Sequence, residues 1–140
     1  MTRPLLAATA ALTLSLSPLL PHYRAIHNAA NRYGVPVGLA YAVGMVESSM
    51  RSNVSLGSCH GLFQVNLPVW RAYFFPPITK TRLLDPTVNA DIGCWIIKHY
   101  YDKTGSWDKA LFMFNNGYRG RHGKFNHKYV NKVKKLWKGD

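Results

Sequence analysis

Apolar positions along this chain form two kinds of run. The first is unbroken: residues 5–16 hold only Leu, Ala, Thr and Ser, and a single basic residue, Arg3, precedes them. That is the make-up of a secretory hydrophobic region, and it is shorter than the roughly 20 residues a membrane span requires. Residues 1–22 therefore read as an export signal, or as a weak anchor if the run continues past Pro18 and stays uncleaved. Beyond it the pattern becomes periodic. Residues 23–33 predict a short helix closed by Gly34. Pro36 suits the first turn of the next helix. There Leu39, Ala42, Val43 and Val46 recur at i, i+3, i+4 and i+7, one buried helical face, and Glu47 follows directly.

Residues 48–60 are rich in Ser, Asn and Gly, which is loop chemistry. The apolar stretch 61–66 is short and is limited by Pro68, so it predicts either a helical turn or a strand stub. A clearer helix opens at Asp85, a capping residue, with Pro86 in its first turn. Its stripe is Ile92, Trp95, Ile96 and His99 or Tyr100, and Gly105 ends it. Ser106 with Asp108 opens another helix through Phe114, and Asn126 opens a last one through Trp137. The expectation is an all-α fold with long loops, built as one domain over residues 23–140, since 140 residues supply a single core.

Charge narrows the choice of partner. The net charge is +12 and concentrates late, in YRGRHGK and KYVNKVKKLWK. In an exported protein this disfavours nucleic acid and fits an anionic envelope polymer or membrane surface, toward which a positive field speeds encounter; a merely solubilising surface is the plain alternative. Cys59 and Cys94 are the two cysteines. In an oxidising compartment they are expected to pair, stabilising the fold by about 2–4 kcal/mol; in the cytosol they would be buried thiols. Two cysteines lack the four ligands of structural zinc. The histidines at 22, 27, 60, 99, 122 and 127 form no H-E-x-x-H pair. No metal or other cofactor is expected. Ser48 and Ser49 lie in no G-x-S-x-G elbow, and no glycine-rich phosphate loop follows a strand.

Glu47 is the sole glutamate; the other acids are Asp85, Asp91, Asp102, Asp108 and Asp140. A carboxyl group at the inner end of an apolar helix is partly desolvated, which raises its pKa and lets it hold a proton near neutrality, as a general acid must. The bland alternative is a surface residue at a frayed helix end. The segments YGVPVGLAYAVGMVESSM, GLFQVN, DPTVNADIGCWII, ALFMFNNG and YVNKV then follow in order. This series resembles the soluble-type (SLT) lytic transglycosylase domain over about residues 23–137. That family has a helix ending in Glu-Ser, a Gly-Leu-Met-Gln segment, an Asp-Pro-x-x-Asn helix, an Ala-Tyr-Asn-Ala-Gly segment and a late Tyr-Val.

The resemblance implies a lysozyme-like helical fold, acting as a monomer on peptidoglycan glycan strands in the periplasm or outside the cell. The bond cleaved would be the β-1,4 link between N-acetylmuramic acid and N-acetylglucosamine, leaving a 1,6-anhydro end. Glu47 would be the catalytic acid and base. Ser48 would orient Glu47 or the sugar, and Gln64, Asn115 and Tyr129 would contact substrate. Gly61, Leu62, Phe63, Phe114 and Gly117 would line the cleft. Two residues depart from the family pattern: Phe114 replaces a tyrosine and so removes a hydroxyl, and Phe63 replaces a methionine. The solitary glutamate agrees with a one-carboxylate route, because glycoside hydrolysis ordinarily uses two carboxylates. A hydrolytic lysozyme on the same fold, or a non-catalytic cationic wall-binding protein, are the competing readings. Local wall opening for a secretion, conjugation or phage apparatus is the expected setting. Trp70, Tyr73, Phe74, Phe75 and Tyr118 are candidates for stacking on sugars, although core packing is the commoner fate of aromatic residues.

Overall fold

Local capping chemistry decides where most of the helices begin and end. The computed structural model describes residues 20–117 and 127–137. Asp85 accepts from the amides of Thr87 and Val88 and opens the longest helix, which stops where Gly105 turns left-handed at φ 68°. Ser106 caps the helix after it by accepting from the Lys109 amide. In chain order the helices are α1 (Leu20–Tyr33), α2 (Val37–Ser48), α3 (Leu67–Trp70), α4 (Lys80–Leu83), α5 (Pro86–Thr104), α6 (Trp107–Asn116) and α7 (His127–Leu136), with a 3-10 turn at Arg71–Tyr73. The all-α expectation holds. Among the described residues no helix is long and apolar enough to cross a membrane.

Helix α5 is the spine. It packs along α1 on one side and α6 on the other, while α2 rests on α1 and α7, and α7 also touches α6. Ile26, Leu39, Val43, Leu62, Phe63, Ile96, Ile97 and Leu111 are wholly buried between them. Each such apolar side chain contributes about 1.5–3 kcal/mol by leaving water. The predicted stripe of α2 is confirmed at Leu39, Ala42 and Val43, with Val46 half-buried at its edge. On α5, Ile92, Ile96 and Tyr100 face the core, whereas Trp95 and His99 are only half-buried.

Several details differ from expectation. Residues 55–66 form a three-stranded antiparallel sheet of two-residue strands, β1 (Ser55–Leu56), β2 (Cys59–His60) and β3 (Val65–Asn66), in the order β1-β2-β3. Cys59 is the pivot of its register, opposite Leu56 on one side and Asn66 on the other. Of the two expectations for residues 61–66, the strand stub is the one found, at its end. Pro36 stands just before α2 in an extended conformation rather than inside it.

The expected disulfide is also not formed: Cys59 and Cys94 are free thiols. Cys94 lies inside the core on α5, where burial pushes its thiol far up, while Cys59 sits half-exposed on the sheet. Residues 1–19 of the expected leader, the YRGRHGK stretch with Tyr118 and His122, and the expected cap Asn126 lie outside the described residues. Residues 20–22, assigned to the leader, open α1.

Candidate active site

The end of α2 is built to hold one position rigidly. Gly44 lets Ile26 and the Met50 thioether close on the helix, at 3.0 and 3.3 Å from where a Cβ would stand. Ser49 and Met50 then both take left-handed backbone, at φ 55° and 61°. For residues with a Cβ that conformation costs on the order of 1–3 kcal/mol each, and it persists only where the surroundings over-determine it. Here they do. The Ser49 amide donates to the Met45 carbonyl at 3.0 Å and the Met50 amide to Gly44 at 3.3 Å. The Ser48 hydroxyl donates to the Gly44 carbonyl and accepts from the Arg51 amide, both at 3.1 Å. From α1, His22 Nδ1 donates to the Met50 carbonyl at 2.8 Å, which fixes the proton on that nitrogen.

Glu47 occupies the last turn of this braced helix. Burial raises its carboxyl from 4.5 to about 7, and the nearby Lys132 ammonium partly opposes the rise. The group therefore keeps its proton well above the pH at which an ordinary glutamate loses it. Tyr129, one turn before Lys132 on α7, brings its hydroxyl to the same place. Burial and the Glu47 charge push that phenol well above its ordinary value, so it stays neutral. Its oxygen is enclosed without a hydrogen-bond partner. Cys59 faces the same charge, its thiol raised by burial and by Glu47.

The segment 61–64 is held by a second set of contacts. Gly61 adopts φ 81°, and a Cβ there would collide with the Asn89 amide and the Leu83 carbonyl. Asn89, buried completely on α5, donates to the carbonyls of His60 (2.7 Å) and Leu83 (2.8 Å) and accepts from the Phe63 amide (2.8 Å). With that anchor set, Gln64 is held at φ 48°. Its Nε2 donates to Val54 (2.9 Å) and Gly61 (3.0 Å), leaving Oε1 buried and unpartnered. Orphaned polar atoms cost about 1–3 kcal/mol each, and such exceptions in a folded chain call for a reason.

The remaining expected residues fall in different places. Leu62 and Phe63 are wholly enclosed and present no open surface in the free protein. Phe63 meets Phe114 edge to face at 6.5 Å, and its ring fills space that only a glycine at 93 leaves open. Asn115 is exposed at the end of α6, where its Oδ1 accepts from Asn116. Gly117 closes that helix by donating to the Met113 carbonyl at 2.6 Å.

Each described aspartate is engaged elsewhere. Asp85 caps α5, Asp91 pairs with Arg32, Asp102 with Lys98 and Asp108 with Lys134. None of them acts on the Glu47 carboxyl.

The family described as Transglycosylase SLT domain matches residues 24–137. The chain belongs to this family. Membership makes it a transglycosylase of the lytic type in general, with peptidoglycan as substrate and a place of action outside the cytoplasm. No curated protein matches the chain.

Sequence reasoning gave no role to Asn89, Lys132 or Cys59 in this site. For Asn89 a signal existed: an amide one helical turn before Ile92 and Gly93, on the apolar face of α5, has to find partners inside the core. Lys132 and Cys59 reach Glu47 only through tertiary packing.

Proposed function

We propose that the protein is an exported lytic transglycosylase that cleaves the β-1,4 bond between N-acetylmuramic acid and N-acetylglucosamine and leaves a 1,6-anhydromuramic end, opening the wall locally. Protonated Glu47 gives its proton to the glycosidic oxygen as the C1–O bond breaks. The resulting carboxylate then takes the proton of the muramyl C6 hydroxyl as that oxygen bonds to C1, which returns Glu47 to its starting state without water. A group doing both jobs works best with a pKa near the operating pH.

The observation that carries this reading is the Glu47 carboxyl held near 7 by burial, with each described aspartate engaged in a helix cap or an ion pair. A hydrolytic route would need a second carboxylate about 6.5–9.5 Å across the cleft to activate water. Gln64 Oε1, an acceptor, and the Tyr129 hydroxyl, a donor and acceptor, are the unpartnered groups that substrate hydroxyls or acetamides would complete. Ser48 acts through the backbone, bracing the turn that aims Glu47.

Mass spectrometry of peptidoglycan digested by the purified protein tests the assignment. Anhydromuramic ends that disappear with Glu47→Gln are expected. Reducing muramic ends would make the enzyme a hydrolase, and products that survive Glu47→Gln would remove Glu47 from the chemistry.

A further inference from the structure

We propose that a shallow aromatic trough across α3, the Arg71–Tyr73 turn and α5 is a second saccharide-binding site, separate from Glu47, that seats another stretch of the glycan strand. The choice of glycan rests on the function proposed above. Trp70 is the hub: its ring centroid lies 4.9 Å from Tyr73, 6.0 Å from Trp95, 6.2 Å from His99 and 5.8 Å from Tyr100. Trp95 and His99, one turn apart on α5, stack at 4.9 Å with their planes 11° apart. Two depressions meet at His99. One, of about 310 Å³, is lined by Trp70, Tyr73, His99, Tyr100 and Lys103. The other, of about 360 Å³, is lined by Tyr33, Trp95, Lys98, His99 and Asp102.

The lining selects the ligand class. Trp70 and Tyr100 are buried and form its base, while Tyr73 remains 63% exposed and Trp95 and His99 are half-exposed at its surface. Ring surface bordered by Lys98, Asp102 and Lys103 is amphipathic. A pyranose is amphipathic in the same sense, with one face of C–H groups and a rim of hydroxyls, so rings take the face and charged side chains take the rim. A purely apolar partner would have to draw the Lys98–Asp102 ion pair and the Lys103 ammonium out of water with no new polar contact in exchange. Burial and the neighbouring Lys103 hold His99 below its ordinary pKa, so its ring stays neutral and keeps one donor and one acceptor nitrogen.

The trough is distinct from the acid site: Lys132, Tyr129 and Cys59, the groups that feel the Glu47 charge or act on it, do not line it, and neither does Glu47. The chain nevertheless connects the two: the segment that presents Gln64 continues through β3 into α3 and presents Trp70. A strand held in the trough raises the local concentration of its other bonds at Glu47.

The test uses the full chain carrying Glu47→Gln, labelled at the four tryptophan indoles and titrated with a β-1,4-linked N-acetylglucosamine oligomer. The Trp70 and Trp95 indole signals are expected to shift. Tyr73→Ala, at an exposed position that tolerates truncation, is expected to weaken the association read at those signals about tenfold. Trp95→Ala should do the same with the Trp70 signal as reporter, and circular dichroism checks that both variants fold. Trp70 and Trp95 signals that stay still while backbone amides around Gln64 respond would overturn the proposal; a trough that serves a protein partner gives that same result. The function reading fails separately, if the unsubstituted chain releases no products from peptidoglycan while Trp95 still responds to the oligomer.

Discussion

Replacing Glu47 with glutamine tests the acid assignment without any substrate. Glutamine has the shape of a protonated glutamate and cannot ionise. The rise of Glu47 from 4.5 to about 7 means that the fold disfavours the carboxylate by about 3 kcal/mol relative to the unfolded chain, at 1.36 kcal/mol per pH unit. The sign follows from linkage. Between those two values the folded chain binds more protons than the unfolded one, so stability falls as pH rises through the window. Below about pH 4.5 both states are protonated there, and Glu47→Gln should leave stability nearly unchanged. At about pH 8 the wild-type chain carries the full penalty and the variant none, so the variant should be more stable by up to about 3 kcal/mol. For a domain of this size that is a rise in Tm on the order of 10 °C. Urea or thermal unfolding of both proteins across the pH range measures it. An advantage that does not grow with pH, or a variant less stable at pH 8, would refute the claim that burial holds a proton on Glu47.

Three further outcomes follow from neighbouring contacts. Lys132→Met removes the charge that restrains the Glu47 pKa, so the carboxyl should titrate above about 7; product release should then persist to higher pH, as a pH–rate profile will show. Tyr129→Phe deletes a buried hydroxyl that has no partner in the described structure; folding stability should hold steady or rise in a urea titration, while activity falls about tenfold if that oxygen binds substrate. Asn89→Ala strips partners from the Phe63 amide and the His60 and Leu83 carbonyls; at about 1–3 kcal/mol per orphaned group the loss should be at least about 3 kcal/mol in chemical denaturation.

Much of this was legible in the sequence where the physics is local. The caps at Asp85 and Ser106, the stop at Gly105 and the buried face of α2 depend on residues within one or two turns, and each stands where the pattern put it. Glu47 was legible as a candidate acid because an apolar helix ends on it and because the family's ordered segments surround it. The small sheet was not, since strands of two residues are too short to show alternation. The full burial of Leu62 and Phe63 was not legible for a related reason: an apolar pair in a loop looks the same whether it is enclosed or exposed. The left-handed pair Ser49 and Met50 carries no glycine to announce it. The cysteines show the limit of compartment arguments, which bear on whether two thiols can oxidise but not on whether the fold brings them together.

The bond from His22 to the Met50 carbonyl gives the start of the first helix a duty toward the far end of the second. It sets a rule for any trimming of the N-terminus. A cut that spares His22 leaves the strained turn behind Glu47 tied on both sides. A cut after it takes away a tether and leaves Ser49 and Met50 to hold their unfavourable backbone with less help. Any such cut would thus act on the stiffness of the turn behind Glu47 through one imidazole, although the two lie 28 residues apart in the chain.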